Sequence, residues 1–95
     1  MLGLRFEWDD SKAVTNLRKH GVSFAEAQTV FDDDLARITE DQDHSAEEER
    51  ELIIGYSVEG RLLVSSFVQR GESIRIINAR TADARERKRH EEENR

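Results

Sequence analysis

Residues 51–80, ELIIGYSVEGRLLVSSFVQRGESIRIINAR, decide the fold. Three runs rich in Leu, Ile and Val, at 51–57, 61–69 and 73–80, are separated by Val58, Glu59, Gly60 and by Arg70, Gly71, Glu72. Short apolar runs broken by glycine-bearing connections read as antiparallel strands joined by hairpins. Residues 35–39 offer one more short strand, and the acidic stretch 40–49 reads as a loop.

Working outward, residues 4–8 alternate apolar and charged side chains and read as an edge-type strand. Asp9 or Asp10 then supplies an N-cap for a helix over 12–20, with Ala13, Leu17 and His20 on one face. Gly21 closes that helix, because a left-handed terminal residue is easy only without a Cβ. Ser23 followed three residues later by Glu26 predicts a capping box for a second helix, whose apolar stripe is Phe24, Ala27, Val30 and Phe31. Asp32, Asp33 and Asp34 end it. Thr81, or the stretch Thr81-Ala82-Asp83, caps a last helix running towards Asn94. The order β-α-α-β-β-β-β-α predicts an α+β fold with two N-terminal helices packed on one face of a twisted antiparallel sheet of four to five strands, and a C-terminal helix.

A chain of 95 residues makes one domain, spanning 1–95. Only 36% of residues are hydrophobic and 38% are charged, but the apolar ones are clustered and periodic, which predicts folding rather than disorder. The absence of cysteine excludes disulfides and thiolate metal sites. No apolar run approaches the ~20 residues that span a bilayer. Met-Leu-Gly-Leu-Arg at the start has no signal-like apolar region, so the expectation is a cytoplasmic chain with no membrane partner. The net charge of −6 argues against nucleic acid as a partner until its distribution is read. Residues 21–54 carry two basic and eleven acidic residues, whereas residues 55–90 carry eight basic and four acidic ones. Local field decides whether a cleft admits a polyanion.

Several residues invite a chemical reading beside a structural one. Arg61 and Arg80 stand at strand ends, with Ile74, Ile76, Asn78 and Arg80 expected on one face of their strand. A guanidinium fork suits two phosphate oxygens, and equally suits a carboxylate, of which this chain has many. Lys19 and His20 close a helix, where cations complement the macrodipole; His20 can also move a proton near neutral pH. His44, Glu49 and Arg50 lie in HSAEEER, either a solvated stretch or a source of groups for the sheet's lip. Trp8 could stack on a base or pack in the core. His90 reads most simply as an exposed helix residue. His44 and His90 lack companions for a metal site.

Four blocks resemble the BrnT family of bacterial type II toxins. They are FEWDDSKA with Asn16 and KHGVSF, the HS and EER of residues 44–50, IGYS-x-x-GRLL, and IRIINAR with ER, in that order over about residues 6–92. The resemblance implies a RelE-like fold and a toxin that cleaves RNA without a metal or other cofactor and inhibits translation. It implies attack of the 2′-hydroxyl on the adjacent phosphate, with a base, an acid and cations around the phosphorane. On that basis Arg61, Arg80, Lys19, His20 and Glu49 are the expected catalytic set, and Trp8, Arg50 and His90 the expected substrate-binding set.

The resemblance also implies a BrnA-like ribbon-helix-helix antitoxin as partner, in a 2:2 complex that touches DNA only through the antitoxin. The acidic middle of the chain suits a basic partner segment. Two positions depart from the family pattern: Asp34 stands where proline is usual, and His90 where tyrosine is usual. The competing expectation is a degenerate toxin that survives as an interaction module and co-repressor.

Overall fold

The computed structural model describes residues 3–41 and 49–94. His44, most of the expected 40–49 loop and most of HSAEEER lie outside the described residues. The elements are β1 (Arg5–Glu7), α1 (Asp10–His20), α2 (Phe24–Thr29), β2 (Arg37–Glu40), β3 (Glu51–Tyr56), β4 (Leu62–Arg70), β5 (Ser73–Thr81) and α3 (Ala84–Glu93). A 3₁₀ turn at Val30–Asp32 extends α2.

The hairpin-rich segment folds as its sequence predicts, with β2, β3, β4 and β5 pairing in sequence as an antiparallel meander. The sheet is nonetheless mixed. Its order is β1-β5-β4-β3-β2, and β1 lies parallel to β5, with Phe6 opposite Ile74. This corrects the fully antiparallel expectation. Hairpin signals govern only neighbours in sequence, and β1 is separated from its partner by the whole chain. Since β1 and β2 occupy opposite edges, α1 and α2 carry the chain across the width of the sheet.

That crossing buries one sheet face. Phe24, Ala27, Val30 and Phe31 of the second helical segment pack with Val22 against Ile53, Leu63, Phe67, Ile74, Ile76 and Ala79. Phe31 meets Phe6 and Phe67 edge-on, with ring centroids 5.1 and 5.0 Å apart. At Gly55 the connection leading into β2 comes so close that a Cβ would lie 2.8 Å from that of Ala36. Gly21 ends α1 with φ of 66°, its N–H donating to the Leu17 carbonyl.

Three local expectations change. First, α1 does not bury a Leu17 face: Leu17 is 51% exposed, and Asn16 is the buried residue of that helix. The Asn16 amide donates to the Val22 carbonyl at 3.0 Å and the Ala79 carbonyl at 2.8 Å, and accepts from Ala79 N–H at 3.0 Å. Three bonds to buried backbone outweigh one leucine in setting the helix's rotation. Second, Ser23 caps α2 by accepting from Glu26 N–H, but the Glu26 carboxylate does not return to complete a box. It is claimed by Ser57 and Arg61. The complete box is at α3, between Asp83 and Glu86.

Third, β5 carries an irregularity. Ser66 pairs with Asn78 and Phe67 with Ile76, so Ile77 is one residue extra. An inserted residue reverses the alternation beyond it. Ile74 and Ile76 therefore share the helix-covered face with Ala79, while Arg80 turns to the other face. That second face carries Leu52, Ile54 and Val64, and α3 lies across part of it.

Asn16 supplies the first test. Asn16→Asp keeps an acceptor for Ala79 N–H but turns a carboxylate oxygen towards two carbonyls. We expect it to lower unfolding free energy by about 2 kcal/mol or more at pH 7, from an unsatisfied buried polar group. Urea denaturation followed by circular dichroism measures this; a loss under about 0.5 kcal/mol, the range typical of surface changes, would contradict the clamp.

Candidate functional site

β1 pairs with β5 only as far as Arg75, so the rest of the β5 edge is open to α1. Between them lies a groove of about 490 Å³, lined by Lys12, Lys19 and His20 from the helix and Asn78 and Arg80 from the strand, with Asn16 and Ala79 also in its wall. The sequence dictates this wall. Lys12 and Lys19 are seven residues apart, with Thr15 between, so they fall on one helical face. Lys19 and His20 also stand in the last turn of α1, where free carbonyls favour positive charge. The structural and chemical motives for that pair coexist.

Arg80 is held by a two-pronged bond to Glu86, Nη1 to Oε1 at 2.7 Å and Nη2 to Oε2 at 2.9 Å. Its Nη1 also reaches the Thr81 carbonyl at 3.3 Å. Glu86 is fixed in turn by accepting from Asp83 N–H at 2.9 Å. The Arg80 and Glu86 side chains retain 41% and 30% exposure, so the pair is open to solvent and to ligands.

Arg61 is placed differently. Its Nε donates to Glu26 Oε2 at 2.9 Å, one Nη bonds Glu26 Oε1, and the same Nη donates to the Gly21 carbonyl at 3.0 Å. Ser57 Oγ adds a bond to Glu26 at 2.7 Å. Arg61 thus joins the β3–β4 hairpin to the start of α2 and the end of α1, outside the groove's lining. Among the expected catalytic residues the groove collects Lys19, His20 and Arg80, and not Arg61.

The remaining expected residues also lie elsewhere. Glu49 is exposed and Arg50 half-buried, with the Arg50 carbonyl accepting from Asp41 N–H; neither lines the groove. Trp8 is half-buried and packs edge-on against Phe24 at the margin of the core, centroids 5.9 Å apart, which is the structural reading of that residue. His90 is not an exposed helix residue. It is 2% exposed, its ring 5.8 Å from that of Tyr56, and Asn94 Nδ2 donates to its carbonyl. Lys12 also lines the groove and was not among the expected residues; the signal was its seven-residue spacing from Lys19. Among the described residues, no cluster of three or more His, Asp or Glu is gathered to hold a metal ion, and no helix is long and apolar enough to cross a membrane.

A family model described as "Ribonuclease toxin, BrnT, of type II toxin-antitoxin system" matches residues 8–86. Among solved structures, the chain is similar to the crystal structure of the Brucella abortus ribonuclease toxin BrnT, with a TM-score of 0.66 and 24% identity over 84% of this chain and 97% of that one. At that identity the likeness speaks for the fold. No curated protein matches the chain.

The two arginine pairs have a common electrostatic consequence. The Glu26 and Glu86 carboxyls are held below the ordinary glutamate value of 4.5, chiefly by hydrogen bonds from Arg61 and Arg80, with burial opposing. Above that value the carboxyls are ionised in folded and unfolded chains alike, and their contribution to stability is complete. As pH falls below it the unfolded chain takes up protons first, and the contribution is lost by the time pH passes the folded-state values. We expect unfolding free energy to decline from about pH 5 downwards, and Glu26→Gln to flatten that decline while lowering stability at pH 7. Denaturation midpoints across pH 3–7 measure both; an unchanged acid limb in the variant would remove Glu26 from this role.

Proposed function

The chain belongs to the BrnT family of ribonuclease toxins of type II toxin-antitoxin systems, and from that premise we propose that it is a metal-independent endoribonuclease that cleaves RNA in the groove between α1 and β5. The observation that carries this reading is the convergence of Lys12, Lys19, His20 and Arg80 on one open groove. The RNA 2′-oxygen attacks the neighbouring phosphorus as its proton is removed. The bond from phosphorus to the 5′-oxygen breaks, that oxygen takes a proton, and the product strand ends in a 2′,3′-cyclic phosphate. His20 is assigned to proton transfer, since imidazole is the side chain best suited to take and to give a proton. Arg80, Lys19 and Lys12 are assigned to the charge that builds on the phosphorane oxygens. Arg61 is assigned to holding the α1–α2 junction rather than to chemistry.

In the cell, this activity would act in the cytoplasm and inhibit translation by destroying RNA. The family implies an antitoxin partner; we propose a BrnA-like ribbon-helix-helix protein in a 2:2 complex, with DNA touched only through it. A second reading has one observation in its favour: both candidate arginines are engaged by carboxylates. A degenerate toxin acting as co-repressor would look like this too.

Purified chain freed of partner, with chelator present, should cleave single-stranded or ribosome-associated RNA. Arg80→Ala should reduce the rate by about 10²–10³-fold, the usual effect of removing one transition-state donor. His20→Ala should reduce it by about 10²-fold or more and change the pH–rate profile. Circular dichroism checks that both variants fold. Equal cleavage by Arg80→Ala removes that residue from the site, and no cleavage of any RNA by the folded natural chain favours the co-repressor.

A further inference from the structure

We infer that the groove beneath α3 is a second RNA subsite, taking a nucleotide adjacent to the one whose phosphate meets Arg80. The inference rests on the ribonuclease reading and extends its substrate contacts to the opposite sheet face. This groove encloses about 450 Å³, within the range of small-ligand pockets. Its floor is Leu52, Ile54 and Val64, and its walls carry Arg37, Arg85 and Arg89. An aliphatic floor with guanidinium walls matches what an unstacked RNA base and its phosphate require: an apolar or planar cationic surface for the ring, and forked donors for the oxygens.

The charges of the groove favour an anion. Glu86 and Glu93 are its acidic lining residues, and Glu86 is already engaged by Arg80. Arg37 spends one Nη on the Glu93 carbonyl at 2.9 Å and has donors to spare. Arg85 and Arg89 are exposed, one helical turn apart, and bonded to no side chain among the described residues. Among the described residues these cations, gathered over an apolar floor, have no carboxylate partner of their own and are free to meet an anion.

One ion pair links the two grooves. Arg80 lines the one beside α1, its partner Glu86 lines the one beneath α3, and the two side chains are bonded to each other. A strand bound with its scissile phosphate at Arg80 therefore has a basic path on either side of that residue. α3 contributes the wall of the second groove through polar side chains. An acidic peptide of the antitoxin is the alternative occupant; continuity with Arg80 favours RNA.

The experiment measures binding of two probes to the full chain by calorimetry. One is a nucleoside 3′-monophosphate; the other is a hexanucleotide made uncleavable by 2′-O-methylation. The double variant Arg85→Ala and Arg89→Ala should weaken the hexanucleotide roughly tenfold or more, from lost charge-assisted bonds. It should also make the dependence of affinity on salt shallower by roughly one in log–log slope. The monophosphate should bind as before. Alanine keeps the helix, and lysine at both positions should restore the salt slope. Unchanged hexanucleotide binding in the double variant, with loss in Arg80→Ala, overturns the subsite. Loss of antitoxin binding with RNA binding intact overturns it in favour of a protein site. If the natural chain binds neither probe, the ribonuclease reading fails first.

Discussion

The Asn16 side chain is the constraint on which the rest is hung. Its amide binds the carbonyls of Val22 and Ala79 and the Ala79 N–H. One small polar group thereby fixes α1 against the α1–α2 junction and against the unpaired stretch of β5. Backbone groups at a sheet edge normally seek another strand or water. Here a helix side chain satisfies them, so no sixth strand is needed and α1 can stand beside the edge. The groove follows from that stand-off. A leucine at position 16 would bring apolar contact but leave three buried backbone groups unpaired.

Much of this architecture was legible. The apolar runs at 51–80 and their glycine-bearing connections pointed to the meander, and the stripe from Phe24 to Phe31 to the helical layer that covers it. What was not legible was long-range. Nothing local to β1 says that its partner is β5 or that the pairing is parallel. The extra residue at Ile77 left no mark in IRIINAR, yet it decides which face receives Arg80. The rotation of α1 was misjudged because periodicity counts apolar residues, and here the deciding residue is polar. His90 was misplaced for a related cause. A helix reading ARERKRHEEE has no apolar stripe to show which side faces in, and the imidazole is the buried member.

The candidate site was legible in part. Lys19 and His20 could be named from a helix end, and Arg80 from a strand end, and the fold brings these three to one groove. Arg61 carried the same sequence signal as Arg80 and is placed differently. A sequence rich in carboxylates cannot tell which arginine will be absorbed by the fold; only the positions of Glu26 and Glu86 do so.

Those two positions also bear on whether a paired arginine can serve RNA. Glu26 is 10% exposed and gathers Ser57 Oγ and two Arg61 nitrogens, while Arg61 is further tied to the Gly21 carbonyl. Displacing that carboxylate would leave a nearly buried charge and loosen the α1–α2 junction. Glu86 is three times as exposed, and its pair with Arg80 faces a groove. Solvent-screened pairs of this kind contribute about 1 kcal/mol or less. A phosphate carries charge shared over several oxygens and can be held at the same time by Lys19 and Lys12, so exchange at Arg80 is a small step. The carboxylate that holds Arg80 in the free chain is therefore compatible with a guanidinium poised for a phosphodiester, whereas the one on Arg61 is part of the frame.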